Sequence, residues 1–271
     1  MIDDLSWILN SPSLIRDKHY PFILGTEWLN EIVDVSDAAV VNAAGEHPRL
    51  GIYYENLVNS ILNKSSQLSD IERNMQVLSN KVTIGEFDFI GQRHHSSEQI
   101  DFHLECAIKF YLCRGDGSEL SDFVGPNKRD RLDIKLDKMT TQQLLLSKTD
   151  AGKQFCSDLG IDPQEFVLLL QGYLFFHYDV WDKPLALHQA INPDHHRGWW
   201  LREDEVNQLD ENCLFAELIK PYWLSNQLSE YDEKQHFIAK NYLINRPKLI
   251  SRIDKNTLKE VDRGFIAPRD W

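Results

Sequence analysis

The feature that most limits what this chain can become is a stretch of strict alternation, IDFHLECAIKFYL, beginning at Ile100. Phe102, Leu104, Cys106, Ile108 and Phe110 fall on one face of an extended strand, and His103, Glu105, Ala107 and Lys109 fall on the other. A helix would scatter these residues around its circumference, whereas a strand sorts them into an oily face and a face bearing an acid and a base. A second extended run, TIGEFDFI from Thr83 to Ile90, precedes it across the polar segment GQRHHSSEQ, as an antiparallel hairpin requires. There Glu86 and Asp88 share a face with Ile84 and Ile90, opposite Phe87 and Phe89. An uncompensated carboxylate among apolar neighbours costs on the order of several kcal/mol. Asp88 and Glu105 therefore ask for a cation, a metal or another functional reason.

Charge narrows the classes of partner. The 271 residues carry 42 acidic and 29 basic side chains, a formal net charge of -13, which argues against a protein that coats nucleic acid nonspecifically. Such binding rests on neutralising phosphates with Lys and Arg. Between Gly125 and Lys153 the balance reverses to seven basic and four acidic residues, a local excess just after the acid-bearing hairpin. Cys106, Cys113, Cys156 and Cys213 are widely spaced, with no CxxC pair and no zinc-site array, so neither a disulfide framework nor a structural zinc is expected. The opening MIDDLSWILN has acids where a signal peptide has a basic region, and no apolar run is long enough to span a bilayer. The expectation is a cytoplasmic protein with no membrane association.

Periodicity organises the rest. RLGIYYENLVNSILN places Leu50, Tyr54, Leu57, Val58, Ile61 and Leu62 on one helical stripe with Glu55 at its edge. MQVLSNKVTI is read as a strand leading into GEFDFI. A helix is expected to begin at Pro126 and Asn127, with Leu132, Leu136, Met139 and Gln143 on one stripe and Lys128, Arg131, Lys135, Lys138 and Gln142 on another. EFVLLLQGYLFFHY reads as a buried strand. The order helix, strand, hairpin, helix, strand indicates an α/β core over residues 1–180, with helical decoration in the first forty residues. Residues 181–271 read as a C-terminal extension packed on that core, with helix-like stretches at Phe215 to Leu224 and Tyr231 to Tyr242. His195, His196, Trp199 and Trp200 could stack on bases, but packing is the favoured reading of the Trp pair.

A helix bearing Glu55, a strand with Gly85, Glu86 and Asp88 in GE-x-D-F, and Glu105 and Lys109 on the next strand together resemble the PD-(D/E)XK nuclease superfamily. More closely, GEFDFI, ECAIKFYL, GPNKRDRLDIKL, QGYLFFH and INPDHHRGWW resemble an uncharacterised bacterial family known only as a domain of unknown function. The superfamily resemblance implies a restriction-endonuclease-like core, a central mixed sheet flanked by helices, with N-terminal and C-terminal helical additions. It also implies a divalent-metal-dependent phosphodiesterase acting on nucleic acid. Asp88 and Glu105 would chelate Mg²⁺ or Mn²⁺ through hard oxygen ligands, with Glu55 completing the metal shell. Lys109 would orient the attacking water and offset transition-state charge. Lys128, Arg131, Lys135 and Gln142 would hold phosphates.

The chain departs from the superfamily pattern in one respect. That pattern sets acid and lysine two residues apart, whereas Glu105 and Lys109 are four apart with Ala107 between them. Along a strand this is roughly 13 Å of backbone. Either Lys109 leans back to the acids, or the pattern is broken and the fold serves as a catalytically inactive binding or regulatory module. A same-face ion pair on a solvated sheet is the plainer account of Glu105 and Lys109.

Overall fold

The structure, a computed structural model, describes residues 2–16, 21–33, 49–221, 223–225 and 244–271. At its start α1 (Ile2–Asn10) and α2 (Gly25–Ile32), joined through the two-residue strand β1 (Ile23–Leu24), bury Leu5, Ile8, Trp28 and Leu29. α3 (Leu50–Leu62) has the apolar stripe read from its sequence, extended by Tyr53. Three long antiparallel strands follow, β2 (Leu68–Ser79), β3 (Val82–His95) and β4 (Glu98–Cys113), then the short β5 (Phe123–Val124). α4 (Leu132–Lys138) runs directly into a π-helical turn, Met139–Gln143, and α5 (Asp150–Leu159) precedes β6 (Glu165–His177). The later strands are β7 (His196–Arg202), β8 (Cys213–Glu217), β9 (Lys248–Asp254) and β10 (Glu260–Ala267).

All ten strands belong to one mixed sheet in the order β2-β3-β4-β6-β7-β10-β9-β8, with β1 beside β6 and β5 beside β4. β4 and β6 are parallel over eleven residue pairs, from Phe102–Glu165 to Leu112–Phe175. A parallel neighbour needs a crossover, and α4 and α5 supply it. At Gly172, where φ is +139°, a side chain would collide with the Lys109 carbonyl of β4, so only glycine fits this register.

The alternation of β4 holds through its length. Phe102, Leu104, Cys106, Ile108, Phe110 and Leu112 pack with Tyr54, Leu57 and Trp28, on the side of α2 and α3. Ala107, Tyr111 and Cys113 pack with Leu132, Leu136 and Met139, on the side of α4. The second face is therefore not the solvated face of a surface ion pair but the floor of another core. Burying an aliphatic or aromatic side chain there contributes about 1.5–3 kcal/mol, so α4 is held firmly against the strand that carries Glu105.

The structure corrects several expectations. MQVLSNKVTI is not one strand: β2 turns into β3 at Asn80 and Lys81, whose φ values of 50° and 64° are those of a tight two-residue hairpin. GQRHHSSEQ is mostly strand as well, because the β3–β4 ladder continues to His95–Glu98 and leaves only Ser96 and Ser97 as the turn. The basic helix starts at Leu132 rather than at Pro126. Gly125 N–H donates to the Asp130 carbonyl at 2.7 Å and Lys128 adopts φ 58°, so residues 125–131 form a closed loop. Phe215 lies in β8, and the C-terminal residues described are mainly strands that extend the sheet from β6, not helical additions. Tyr231 to Tyr242 lie outside the described residues. Among the described residues no helix is long and apolar enough to cross a membrane.

Candidate active site

The ladder between β3 and β4 runs from His95–Glu98 as far as Phe89–Leu104 and stops. Asp88 and Glu105 come next, one on each strand. In place of ladder bonds, each carboxylate reaches the backbone of the other strand: Cys106 N–H donates to Asp88 Oδ2 at 3.0 Å, and Asp88 N–H to Glu105 Oε1 at 3.4 Å. Beyond this point β3 pairs with β2 down to Val82–Ser79, whereas β4 stays with β6 to Leu112. The hairpin opens, and the two acids mark the apex of the opening.

Glu105 is fully buried and bonded on both oxygens. Oε1 lies 2.8 Å from His103 Nε2, and Oε2 accepts from the side-chain amide of Gln143. Burial pushes Glu105 up to about 8, with its hydrogen bonds and the Lys135 charge opposing. Burial, then the Glu105 charge, pushes Asp88 up to about 7. His103, also without solvent exposure, is held down to about 4 by burial. The His103–Glu105 contact is thus a neutral pair near pH 7, with the proton on the carboxyl, which avoids two buried charges.

Two further groups reach the opening from opposite faces of the sheet. Glu55, half-buried on α3, is raised first by burial and then by the Asp88 charge. Lys135, half-buried on α4, is lowered by burial and by repulsion from Lys109, while Asp88 and Glu105 pull the other way. Its ammonium donates to Gln143 Oε1 at 3.2 Å. A helix on each face can address one carboxyl pair because the strands between them have parted.

The structure brings together Asp88, Glu105, Glu55 and Lys135, and it sends the remaining expected residues elsewhere. Lys109 bonds Asp130 Oδ2 at 2.5 Å, and the Tyr111 hydroxyl donates to the other oxygen of the same carboxylate at 3.2 Å. Arg131 is clamped by both oxygens of Asp133 at 2.7 and 2.6 Å. Lys128 turns toward Trp271, donating to the Asp270 carbonyl at 3.0 Å. Gln142 is exposed; its neighbour Gln143 makes the contact with Glu105. The signal for Gln143 was present in the chain, as a lone amide on the apolar stripe of Leu132, Leu136 and Met139. Trp199 and Trp200 are buried on β7, which bears out the packing reading.

Among the described residues, no group of three or more His, Cys, Asp and Glu is arranged to hold a metal ion. The site instead offers two carboxylates on neighbouring strands, with a third acid and an ammonium near them. No curated protein and no solved structure matches the chain. A family model described as a domain of unknown function (DUF1853) matches residues 3–266, nearly the whole chain, and the protein therefore belongs to that family.

Proposed function

We propose that this protein is a divalent-metal-dependent phosphodiesterase acting on nucleic acid, built on a restriction-endonuclease-like core. The run α3, β2, β3, β4, α4, α5 and β6, with β4 parallel to β6, supports the reading as a mixed sheet flanked by helices. The observation that carries the reading is the convergence of Asp88 and Glu105 with Lys135 where the hairpin ladder opens. Two carboxyls raised by burial, Asp88 further by the Glu105 charge, are poor anions alone and good ones beside a cation. Mg²⁺ is commonly held by one or two carboxylates, with waters and substrate phosphate completing its shell, so the two-acid set fits such an ion.

When bound, Mg²⁺ or Mn²⁺ would polarise a phosphoryl oxygen and make a coordinated water more acidic. The protein's part is to release the protons of Asp88 and Glu105, to hold both carboxyls through the Cys106 amide, His103 and Gln143, and to keep the Lys135 ammonium beside the phosphate. Glu55 adds negative charge from the α3 side.

Purified protein with Mg²⁺ or Mn²⁺ is expected to cut at least one of single-stranded, double-stranded or structured nucleic acids. Asp88→Asn, which keeps an acceptor for the Cys106 amide, is expected to abolish cutting. Inert wild-type protein across all three substrates sinks the proposal. The complete burial of Glu105 and the diversion of Lys109 favour a second reading, a catalytically inactive binding module. Saturable Mn²⁺ binding that Asp88→Asn removes would count against it.

A further inference from the structure

Gln143 stands between the cation and the acid. Its carbonyl oxygen accepts from Lys135 at 3.2 Å and its amide nitrogen donates to Glu105. Both ends demand this one orientation, since a flipped amide would set NH₂ against ammonium and carbonyl against carboxyl. The placement has its own backbone device. Leu144 N–H bonds the Met139 carbonyl at 2.9 Å, five residues back, so the end of α4 carries one more residue per turn than an α-helix allows. The extra residue rotates the chain beyond it by about 100°. Gln143, four residues after Met139 and on its buried side, lies within this wide turn and meets Glu105, while Gln142 faces outward.

We infer that Gln143 is a positioning residue, a neutral spacer that holds the Lys135 ammonium off Glu105, so that a divalent cation has to displace an amide rather than an ammonium from the acid and the ammonium stays available to a phosphate. This rests on the metal-dependent reading above and adds a division of labour within it. Asp88 and Glu105 both attract Lys135. Without the intervening amide, the ammonium falls onto Glu105 as a direct ion pair and competes with the metal for the same oxygens. An amide can accept from an ammonium and donate to a carboxylate at once, at its two ends, which neither a carboxylate nor a second ammonium can do.

The test is Mn²⁺ binding to the full chain without nucleic acid at pH 8.5, monitored by the electron paramagnetic resonance of free Mn²⁺. Wild type, Gln143→Ala, Gln143→Met, Lys135→Ala and the double variant Gln143→Ala/Lys135→Ala are compared, with circular dichroism reporting the fold. Gln143→Ala and Gln143→Met are expected to weaken binding by about tenfold or more. The double variant is expected to recover to within about threefold of Lys135→Ala alone, because the competing ammonium is gone. The spacer role is overturned if both single Gln143 variants bind Mn²⁺ like wild type. It is also overturned if the double variant stays as weak as Gln143→Ala, which would mean that the amide only supports Glu105. A wild-type protein that cuts nucleic acid yet takes up no Mn²⁺ in this assay overturns the spacer and leaves the phosphodiesterase standing. Neither cutting nor binding overturns both.

Discussion

Burial decides the chemistry of the two acids, and it leaves a signature in stability. Asp88 is pushed from 3.8 to about 7 and Glu105 from 4.5 to about 8, by burial in the first place. Each keeps its proton in the folded chain over a range where the unfolded chain has lost it. Their stabilising contribution is complete below about pH 4 and disappears as pH rises through 7 and 8. His103 acts in the opposite sense: lowered from 6.5 to about 4, it favours the folded state above pH 6.5 and loses that contribution as pH falls through 4. Of these three groups only the acids titrate in the folded chain between pH 6.5 and 8, so the metal-free protein is expected to lose thermal stability over that window. Glu105→Gln should flatten the loss and saturating Mn²⁺ should reverse it; a melting temperature of wild type that stays level in chelator would contradict the buried-acid account. The two lysines provide a second comparison at this scale. Lys135 lies by the acids and Lys109 by Asp130, so Lys135→Ala is expected to lower the cleavage rate by roughly 100-fold or more. Lys109→Ala should cost less than about tenfold, since it only frees a carboxylate at the rim. Equal losses in single-turnover assays would show that Lys109 takes part after all.

Single elements were legible where one period governs a whole run. β4 and α3 keep period 2 or 3.6, readable from residues such as Phe102 to Phe110 and Leu57 to Leu62, and β6 was readable as an unbroken apolar run. Glu105 was readable from the alternation of β4, whereas β3 changes face at Asp88: Phe87 packs with Ile90 and Phe89 with Leu104, not together as the alternation predicts. What escaped was set by exceptions to a period. Asn80 and Lys81 turn a hairpin without the Asn-Gly pair that advertises one. Lys135 was expected at the site only together with Lys128, Arg131 and Gln142, because nothing in a helical wheel says which of that stripe the opened sheet will draw inward. Gln143 was missed because the 3.6-residue count put it on the apolar stripe, away from the basic residues expected to serve the site, and that stripe ends in a π-helical turn. That turn gives the element-level prediction. Deleting Thr141, which is exposed, should restore an α-helical path and carry Gln143 away from Glu105. Mn²⁺ affinity is expected to fall as in Gln143→Ala, while the melting temperature holds or rises. A deletion that unfolds the chain would show that the turn is needed for packing and not for the site.

On the scale of the molecule, the late strands do more than cover the early ones. β7 pairs with β6 and β10 with β7, so residues 196–202 and 260–267 continue the sheet that carries the acids. The chain then returns to the site's own supports. Trp271 is 4% exposed and donates its indole N–H to the Pro126 carbonyl at 2.9 Å, and its ring stands edge-on to Trp200 with centroids 5.1 Å apart. The guanidinium of Arg114 and the ammonium of Lys128 lie over the same ring, at 5.3 and 5.9 Å. Pro126 and Lys128 belong to the closed loop whose Asp130 holds Lys109 and whose last residue, Arg131, leads into α4. The end of the described chain therefore fixes the entrance of the helix that presents Lys135 and, past the π-helical turn, Gln143. Removing a buried tryptophan side chain costs about 3–5 kcal/mol, so Trp271→Ala is expected to destabilise the protein by that order in urea denaturation. Trp271→Phe keeps a ring for the cations and for Trp200 but cannot donate to Pro126, and should cost closer to about 1 kcal/mol. In both variants the loss should be accompanied by weaker Mn²⁺ binding, more so in Trp271→Ala, because the loop before α4 has lost its anchor. A Trp271→Ala protein that unfolds at the wild-type urea concentration and binds Mn²⁺ as wild type does would show that α4 is placed by its own core alone, through Leu132, Leu136 and Met139.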